Sequence, residues 1–504
     1  MQKILVSTLS LVTFLFQISC NKTIINTLQN TSNNDFKNDN LNFGDFDVKR
    51  KLPVITVTNL DNMPMEQAKV LIGNKLGQPF VNNLLETNKM GQVIAPADWS
   101  APLSITVDFP GYMRVTYFNV FPQDLTFKIR PIVKTSQIVL TGKTTNFGKI
   151  KPDNVADFGL VIQSLNRGDL FSFNIDKLIS PEFDNLKVGG FIDTSVPSNL
   201  TFPHQQEKYV VPITIEKEKY RLFFREPGLK RSYALHGQFP FKETMDQFRN
   251  KVPFTTLINS FKFVSGGLKE FQLDGPLELD LPVNEMSFTS QESLQPPTVP
   301  SNYFMLSISL FEINGLLYPT DMHKADNTKP FILKNIEKAQ KHFLSVIAMD
   351  PNDPKTDAKH QEASSIEFVA QSPNHIPHFL DLIPSPTPTG VTGWTSQAPA
   401  LIDGVTPLTT FAVLSKIITE GDRRKIQRNW EVYAENWIQN LELPEWPENN
   451  SDPLQSDLSL FAEGHRWEIV YIGTNSKLPI SSKSSLGPDS AELTSHVSFN
   501  SVEF

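Results

Sequence analysis

Cys20 is the only cysteine among the 504 residues, so its thiol is the first group whose chemistry the sequence constrains. It follows an apolar stretch at residues 4–18, which is preceded by the single charge of Lys3. This stretch is too short to cross a bilayer as a stable helix, and it is typical of a cleaved export signal. With no second thiol, the chain cannot form an internal disulfide bond or use another cysteine as a nucleophile.

Two further groups of side chains have types and spacing that could bind a metal ion. His375, His378 and Asp381 could supply three ligands to zinc, and the aspartates of residues 350–357 could supply oxygen atoms to calcium. The alternatives are surface histidines on a loop interrupted by Pro377 and a solvated turn, and neither spacing matches an established metal motif. Common hydrolase and nucleotide-binding motifs are also absent. We therefore assign no catalytic residue, no metal ligand and no cofactor.

The residues around Cys20 resemble the lipobox of bacterial lipoprotein signals, in which a small residue precedes the cysteine that receives the lipid. Ser19 and Cys20 match this pattern, whereas Gln17 stands where leucine or valine is usual. The resemblance implies a signal peptide at residues 1–19 and lipid attachment at Cys20, with acyl chains such as palmitate holding the protein to a membrane of the bacterial envelope. We expect the outer membrane and leave its side open. The alternative is an ordinary secretory signal, although no Ala-x-Ala-like site lies nearby.

Residues 20–48 are rich in asparagine and contain few large apolar side chains. Such a segment cannot bury enough surface to fold, so we predict a flexible tether between the lipid and the folded part. The net charge of the chain is -8, and its pI is about 5.7. This balance gives no basic surface for phosphates, so we exclude nucleic acid as a partner.

The remaining sequence predicts a mainly β, multidomain chain of β-sandwich modules, transthyretin-like or immunoglobulin-like, with few helices. The composition includes 37 prolines and 37 phenylalanines, and short apolar runs alternate with turn residues. We place modules at residues 49–133, 134–295 and 300–504, with an alternative split of the last one near 384–399. A helix over residues 244–263 and a half-buried final strand over 495–504 are also predicted.

The first of these modules resembles the carboxypeptidase regulatory-like, transthyretin-like domain. In that family a Pro-containing turn precedes an Ala-x-Val strand, a Thr-Asp-x-x-Gly turn follows, and a Gly-Tyr pair precedes a later strand. Asn62 and Gln67 depart from the family because glycine is common there, and Asn88 replaces the usual turn aspartate. The resemblance implies a small sandwich without catalytic residues. The matching residues are Pro64, Ala68, Val70, Thr87, Gly91, Gly111 and Tyr112.

Most of the tryptophans lie in the last third of the sequence, and they suggest a binding surface. An exposed indole ring can stack on the apolar face of a sugar, so Trp394, Trp437 and Trp446 are candidates for glycan stacking. The alternative is that tryptophans belong to the core. We favour that alternative for Trp430 and Trp467, because period-two alternation places them with other apolar residues.

These features predict a membrane-anchored envelope lipoprotein that acts as a non-enzymatic binding or adhesion protein. Admissible partners are a glycan, peptidoglycan or an envelope protein, in addition to the membrane that holds the lipid. One alternative is a structural subunit of an outer-membrane assembly. The other is an envelope hydrolase whose catalytic residues meet only in the folded chain.

Overall fold

The computed structural model describes residues 52–60, 62–132, 138–144, 153–163, 183–188, 192–197, 219–224, 227–250, 252, 257–294, 303–313, 316–325, 331–336, 341–349, 362–370, 378–389, 393–420, 423–447, 464–477, 479–481 and 485–503. The predicted signal peptide and tether, including Cys20, lie outside the described residues. The described residues fold mainly into β-strands arranged in several sheets, which confirms the predicted fold class.

The strands are short in the first part of the chain and longer in the last part. The first part forms β1 (Val54–Asn59), β2 (Lys69–Ile72), β3 (Leu84–Glu86), β4 (Gln92–Ile94), β5 (Leu103–Asp108), β6 (Arg114–Val120) and β7 (Leu125–Ile129). The middle part forms β8 (Ile138–Lys143), β9 (Val155–Gln163), β10 (Phe183–Val188), β11 (Ile192–Pro197), β12 (Lys219–Phe224), β13 (Gly228–Pro240), β14 (Lys262–Leu273), β15 (Leu277–Glu278), β16 (Met286–Ser287) and β17 (Thr289–Leu294).

The last part contains the longest hairpin and the final strand. Its strands are β18 (Phe304–Ile313), β19 (Leu316–Ala325), β20 (Phe331–Asn335), β21 (Lys341–Met349), β22 (Glu362–Ala370), β23 (Thr387–Thr389), β24 (Gly393–Thr395), β25 (Thr406–Glu420), β26 (Arg423–Glu435), β27 (Asn440–Glu442), β28 (His465–Thr474) and β29 (His496–Glu503). Helical structure in the described residues consists of α1 (Phe241–Arg249) and two 3-10 helices, Ile258–Ser260 and Pro488–Leu493.

The largest sheet has 12 strands in the order β19-β18-β21-β22-β29-β28-β25-β26-β6-β5-β2-β3. Its neighbours are antiparallel except at one position, where β6 runs parallel to β26 with Arg114 opposite Trp430 and Phe118 opposite Ala434. A hairpin cannot make a parallel pair, so this contact must join distant parts of the chain. It therefore connects the first seven strands to the last part of the sequence.

Both faces of this sheet are covered around β6, β26, β25 and β28, so the region has three layers. On one face, the sheet β4-β1-β7 contributes residues such as Val57 and Phe127 to a core that also contains Tyr117 and Tyr433. On the other face, the small sheet β23-β24-β27 packs its apolar residues against the long strands. Successive side chains along a strand point to opposite faces, so each of these strands contributes apolar residues to both cores.

Strand pairing and side-chain packing connect residues of different predicted modules. The module predicted at residues 49–133 shares one sheet and one core with residues 408–491. The predicted boundary at 295–300 is also crossed, because β17 pairs with β20 and the Tyr233 hydroxyl donates to the carbonyl of Pro319 at 2.8 Å. Pairing between distant strands leaves no local signal in the sequence, so linker composition alone does not predict these contacts.

Several turns of the first part contain residues with a left-handed backbone conformation. Asn62 and Gln67, which stand where that family commonly has glycine, have positive φ angles of 62° and 65°. Gly91 has a φ of 68°, and a Cβ atom there would lie 2.4 Å from the carbonyl oxygen of Val57. Only glycine fits this last position, because its backbone is both left-handed and in close contact with β1.

Two predicted elements differ from the structure. The predicted helix over 244–263 is instead α1 followed later by a single 3-10 turn, and β14 begins at Lys262; the sequence contains Pro253, which interrupts helical hydrogen bonding. The final strand, predicted as half-buried, is buried along its whole length. Residues 381–385 cover its second face, where the Ser498 hydroxyl donates to the carbonyl of Asp381 at 2.7 Å.

None of the helices in the described part of the chain has both the length and the apolar character needed to cross a bilayer.

The junction between β6 and β26 contains a buried hydrogen-bond chain that can be tested by one isosteric change. The Trp430 indole N–H donates to the Thr116 hydroxyl at 2.8 Å, and the Thr116 and Thr106 hydroxyls are 2.9 Å apart. Thr116→Val removes the shared partner of both groups, so we expect a loss of about 1–3 kcal/mol in the free energy of unfolding. Urea unfolding followed by tryptophan fluorescence measures this loss.

The matched control is Thr126→Val, the same chemical change at an exposed position on β7. It should alter stability by less than about 0.5 kcal/mol. Equal shifts for the two variants would contradict the assignment of Thr116 to the junction.

Candidate functional site

Several loops meet at one end of the three-layered region. Ile72 at the end of β2 lies opposite Ile105, and Leu103 lies opposite Val120, so β2 ends where β5 begins and β6 ends. The short turn after β6 leads into Leu125, the first residue of β7. Because β26 is parallel to β6, and β25 is antiparallel to β26, β26 ends and β25 begins at the same end.

This end carries most of the large apolar side chains that are exposed in the described residues. Val81 is 87% exposed and Leu76 is 51% exposed in the loop between β2 and β3, and the other members follow β4, follow β6 and precede β25. We call this surface the apolar end. Its residues are Leu76, Val81, Ile94, Phe121 and Leu401.

The loop at residues 73–83 is held in a fixed conformation by one buried side chain. The Asn83 Nδ2 atom lies 2.8–2.9 Å from the carbonyl oxygens of Ile72, Lys75 and Gln78, which share its two N–H donors, and its Oδ1 accepts from the backbone N–H of Gly77 at 2.8 Å. Asn83 itself is fully buried. The loop therefore presents its apolar side chains from a rigid backbone rather than from a collapsed or frayed one.

A second loop, at residues 436–447, braces the first. The Lys75 ammonium lies 2.9 Å from the Glu445 carboxylate, and the Glu445 backbone N–H donates to the carbonyl of Asn74 at 2.7 Å. The next residue, Trp446, lies against the buried Arg114, whose guanidinium carbon is 4.5 Å from its ring centre and 4.8 Å from that of Trp430. Cation–π contact with two rings fixes the second loop on the sheet face.

The three tryptophans proposed for glycan stacking differ in their burial. Trp394 is fully buried on β24, so it offers no ring face to a sugar and the stacking hypothesis fails for this residue. Trp437 and Trp446 are half-buried. The Trp437 indole N–H donates to the carbonyl of Ile472 at 2.7 Å, and one face of Trp446 is occupied by Arg114. The core interpretation of Trp430 and Trp467 is confirmed, since both are buried.

Buried charges elsewhere in the large sheet are paired with one another. The Tyr433 hydroxyl donates to Glu431 at 3.1 Å, and Arg130 approaches the same carboxylate at 3.6 Å. Burial, reinforced by the neighbouring Glu431, raises the pKa of the Tyr433 hydroxyl well above its usual value, so it remains a neutral donor. Similar ion pairs join Arg466 to Glu503 and Arg428 to Glu468. These groups order the sheet interior, and all of them except the partly exposed Arg428 are buried.

The Asp321 carboxylate forms a second buried ionic cluster. Its two oxygens lie 2.7 Å from His323 Nε2 and 3.2 Å from Lys334 Nζ, and Lys334 also donates to the carbonyl of Phe263 at 3.0 Å. The cluster ties β19, β20 and β14 together, which explains why a charged group is buried there.

The metal patterns considered in the sequence receive no support from the described residues. His378 is exposed, whereas His375 and the aspartates of residues 350–357 lie outside the described part of the chain. Across the described residues, no group of at least three His, Cys, Asp or Glu side chains is arranged to hold a metal ion.

Comparisons with known proteins do not identify the chain. No protein-family model and no curated protein matches it. Among solved structures, a streptococcal ancillary pilin is 9% identical, and the alignment covers 65% of this chain and 97% of that one with a TM-score of 0.12. A TM-score of this size does not establish a shared fold.

The sequence did not predict the apolar end, because its five residues come together only when strand pairing places their loops at the same end of the sheet. The available signal was the turn composition of residues 73–83, where Gly73, Gly77 and Pro79 flank apolar residues between two predicted strands. Gly73 has a φ of 115°, and a Cβ atom there would lie 2.4 Å from the carbonyl oxygen of Gln78. That requirement marks a structured loop.

The rigidity of this loop can be tested with Asn83→Ala. This change removes the donors that hold three carbonyls, so we expect faster amide hydrogen exchange across residues 74–82 and a stability loss of about 1–3 kcal/mol. Asn88→Ala is the matched control, because the Asn88 side-chain oxygen accepts only exposed hydrogen bonds in its own turn. If both variants leave exchange in residues 74–82 unchanged, Asn83 does not hold the loop.

Proposed function

We propose that this protein is a lipid-anchored, non-enzymatic binding protein of the bacterial cell envelope, held to the outer membrane through Cys20, and that the apolar end is its binding surface. The observation that carries the proposal is the rigid exposure of Val81 and Leu76 on a loop fixed by Asn83. Exposed apolar side chains cost solubility, and a concentration of them at one place is typical of interaction surfaces.

Several features support binding rather than catalysis. The buried carboxylates described above lie within 4 Å of arginine, lysine or histidine side chains and are closed to solvent. The apolar end, by contrast, is open, and its exposed members in the described residues are aliphatic or phenyl side chains. Such a surface gains affinity from burial of apolar area, which needs no reactive group.

Of the partners expected from the sequence, a glycan or peptidoglycan matches this surface less well than an apolar partner does. A glycan or peptidoglycan would use aromatic stacking, but Trp394 is buried and the polar edge of Trp437 is bonded to Ile472. An apolar partner matches the aliphatic residues of the apolar end more closely than a sugar does.

Lipid attachment is tested by Cys20→Ala in cells supplied with a clickable fatty acid. We expect loss of acyl label and retention of the leader, since the thiol that receives the lipid is gone. Ser19→Ala is the matched control because it keeps a small residue before the cysteine, and it should be labelled and cleaved normally. Equal labelling of the Cys20→Ala variant and the native chain would refute the anchor.

A further inference from the structure

We infer that the apolar end docks on the surface of the lipid bilayer, as a second membrane contact beyond the acyl chains on Cys20. The inference rests on the proposed function and names the partner of the same surface. It follows from where the chain enters the described structure, from the chemistry of the exposed side chains and from the charges around them.

The chain enters the described structure at the apolar end. β1 begins at Val54, which is paired with Ile94 and whose backbone N–H is bonded to Asp124 at 2.8 Å, in the turn that follows Phe121. The predicted tether therefore joins the folded part beside two of the exposed residues. If residues 20–48 form the predicted tether, its mean reach is about 30 Å, and the apolar end stays close to the anchored lipid.

The connection from β7 to the middle strands leaves from the other end of this region. β7 ends at Ile129, and Tyr112 and Pro131 are paired there, before the chain continues to β8. The β25–β26 hairpin also turns at that end, between Glu420 and Arg423. The apolar end is thus the part of the region that faces the predicted anchor, while the connections to the middle strands point away from it.

The side chains of the apolar end match the acyl region of a bilayer. Val81, Leu76, Ile94, Leu401 and Phe121 have aliphatic or phenyl groups that offer no hydrogen bonds to a sugar. Insertion into the boundary between headgroups and acyl chains buries such groups without demanding a complementary protein shape. The half-buried indole of Trp437, near the start of β25, is of the type that lies at this boundary.

The described residues at this end do not form a basic patch. Among them, Asp98 and Asp403 are exposed, and the cations are Lys477 and Lys75, of which Lys75 is paired with Glu445. Docking therefore depends on apolar burial rather than on attraction to anionic headgroups, and it should be insensitive to salt. A tether of this length gives an effective concentration on the order of millimolar, so a weak contact is enough to keep the surface docked.

The test places one polarity-sensitive dye at either end of the region in the full, membrane-extracted chain. Val81→Cys labels the apolar end, and Met63→Cys is the matched control, because Met63 is 61% exposed in the turn after β1, at the opposite end. The labelled proteins are reconstituted into vesicles of phosphatidylethanolamine with a minor fraction of phosphatidylglycerol, with and without brominated acyl chains. Both positions are exposed, so neither change disturbs the core.

We expect the dye at position 81 to shift to shorter wavelength and to be quenched by brominated lipid at low and high salt, while the dye at position 63 shows neither effect. Equal, water-like emission from both dyes would overturn the inference. So would a shift at position 81 that appears only on addition of peptidoglycan or a copurifying protein, or one that high salt abolishes.

The labelling ratio reports separately on the anchor. If Cys20 is acylated, the introduced thiol is the only reactive one and each chain takes one dye, since the native sequence has a single cysteine. Two dyes per chain would refute the proposed lipid anchor. One dye per chain with no contrast between positions 81 and 63 would leave the anchor in place and overturn the docking.

Discussion

The parallel pairing of β6 with β26 is the constraint on which the remaining architecture depends. The hydrogen bond from Trp430 to Thr116 joins residues 314 positions apart, and it lies inside that pairing. A contact of this separation must offset a large loss of chain entropy, so it needs extensive burial around it. The two cores on either face of the sheet, which contain Tyr433 on one side and Trp430 on the other, supply that burial.

The position of the apolar end follows from this pairing. Because β26 runs in the same direction as β6, the loop after Glu435 emerges beside the loops that follow β2 and β6. An antiparallel pair would have placed Trp437 at the opposite end from Val81. Lys75 and Glu445 could then not have met, and the loop carrying Val81 would have lacked its brace.

The sequence predicted local structure well and long-range structure poorly. Alternation over residues 495–504 predicted the final strand, which the structure has as β29, because that segment carries its own pattern of apolar residues. It placed Trp467 in the core for the same reason. The shared sheet could not be predicted, since no feature of residues 114–118 specifies residues 430–434 as neighbours. The candidate site depends on that sheet, so Trp394 was misassigned and Val81 was overlooked.

Native-state hydrogen exchange in increasing urea tests the central pairing most directly. If β6 and β26 form one cooperative unit, the amides of Val115, Tyr117, Val432 and Tyr433 should converge on a single free energy of opening, the one at which the whole region unfolds. Exchange of the β6 amides at a clearly lower free energy, with β26 still protected, would show that the first strands open independently and would contradict the shared sheet.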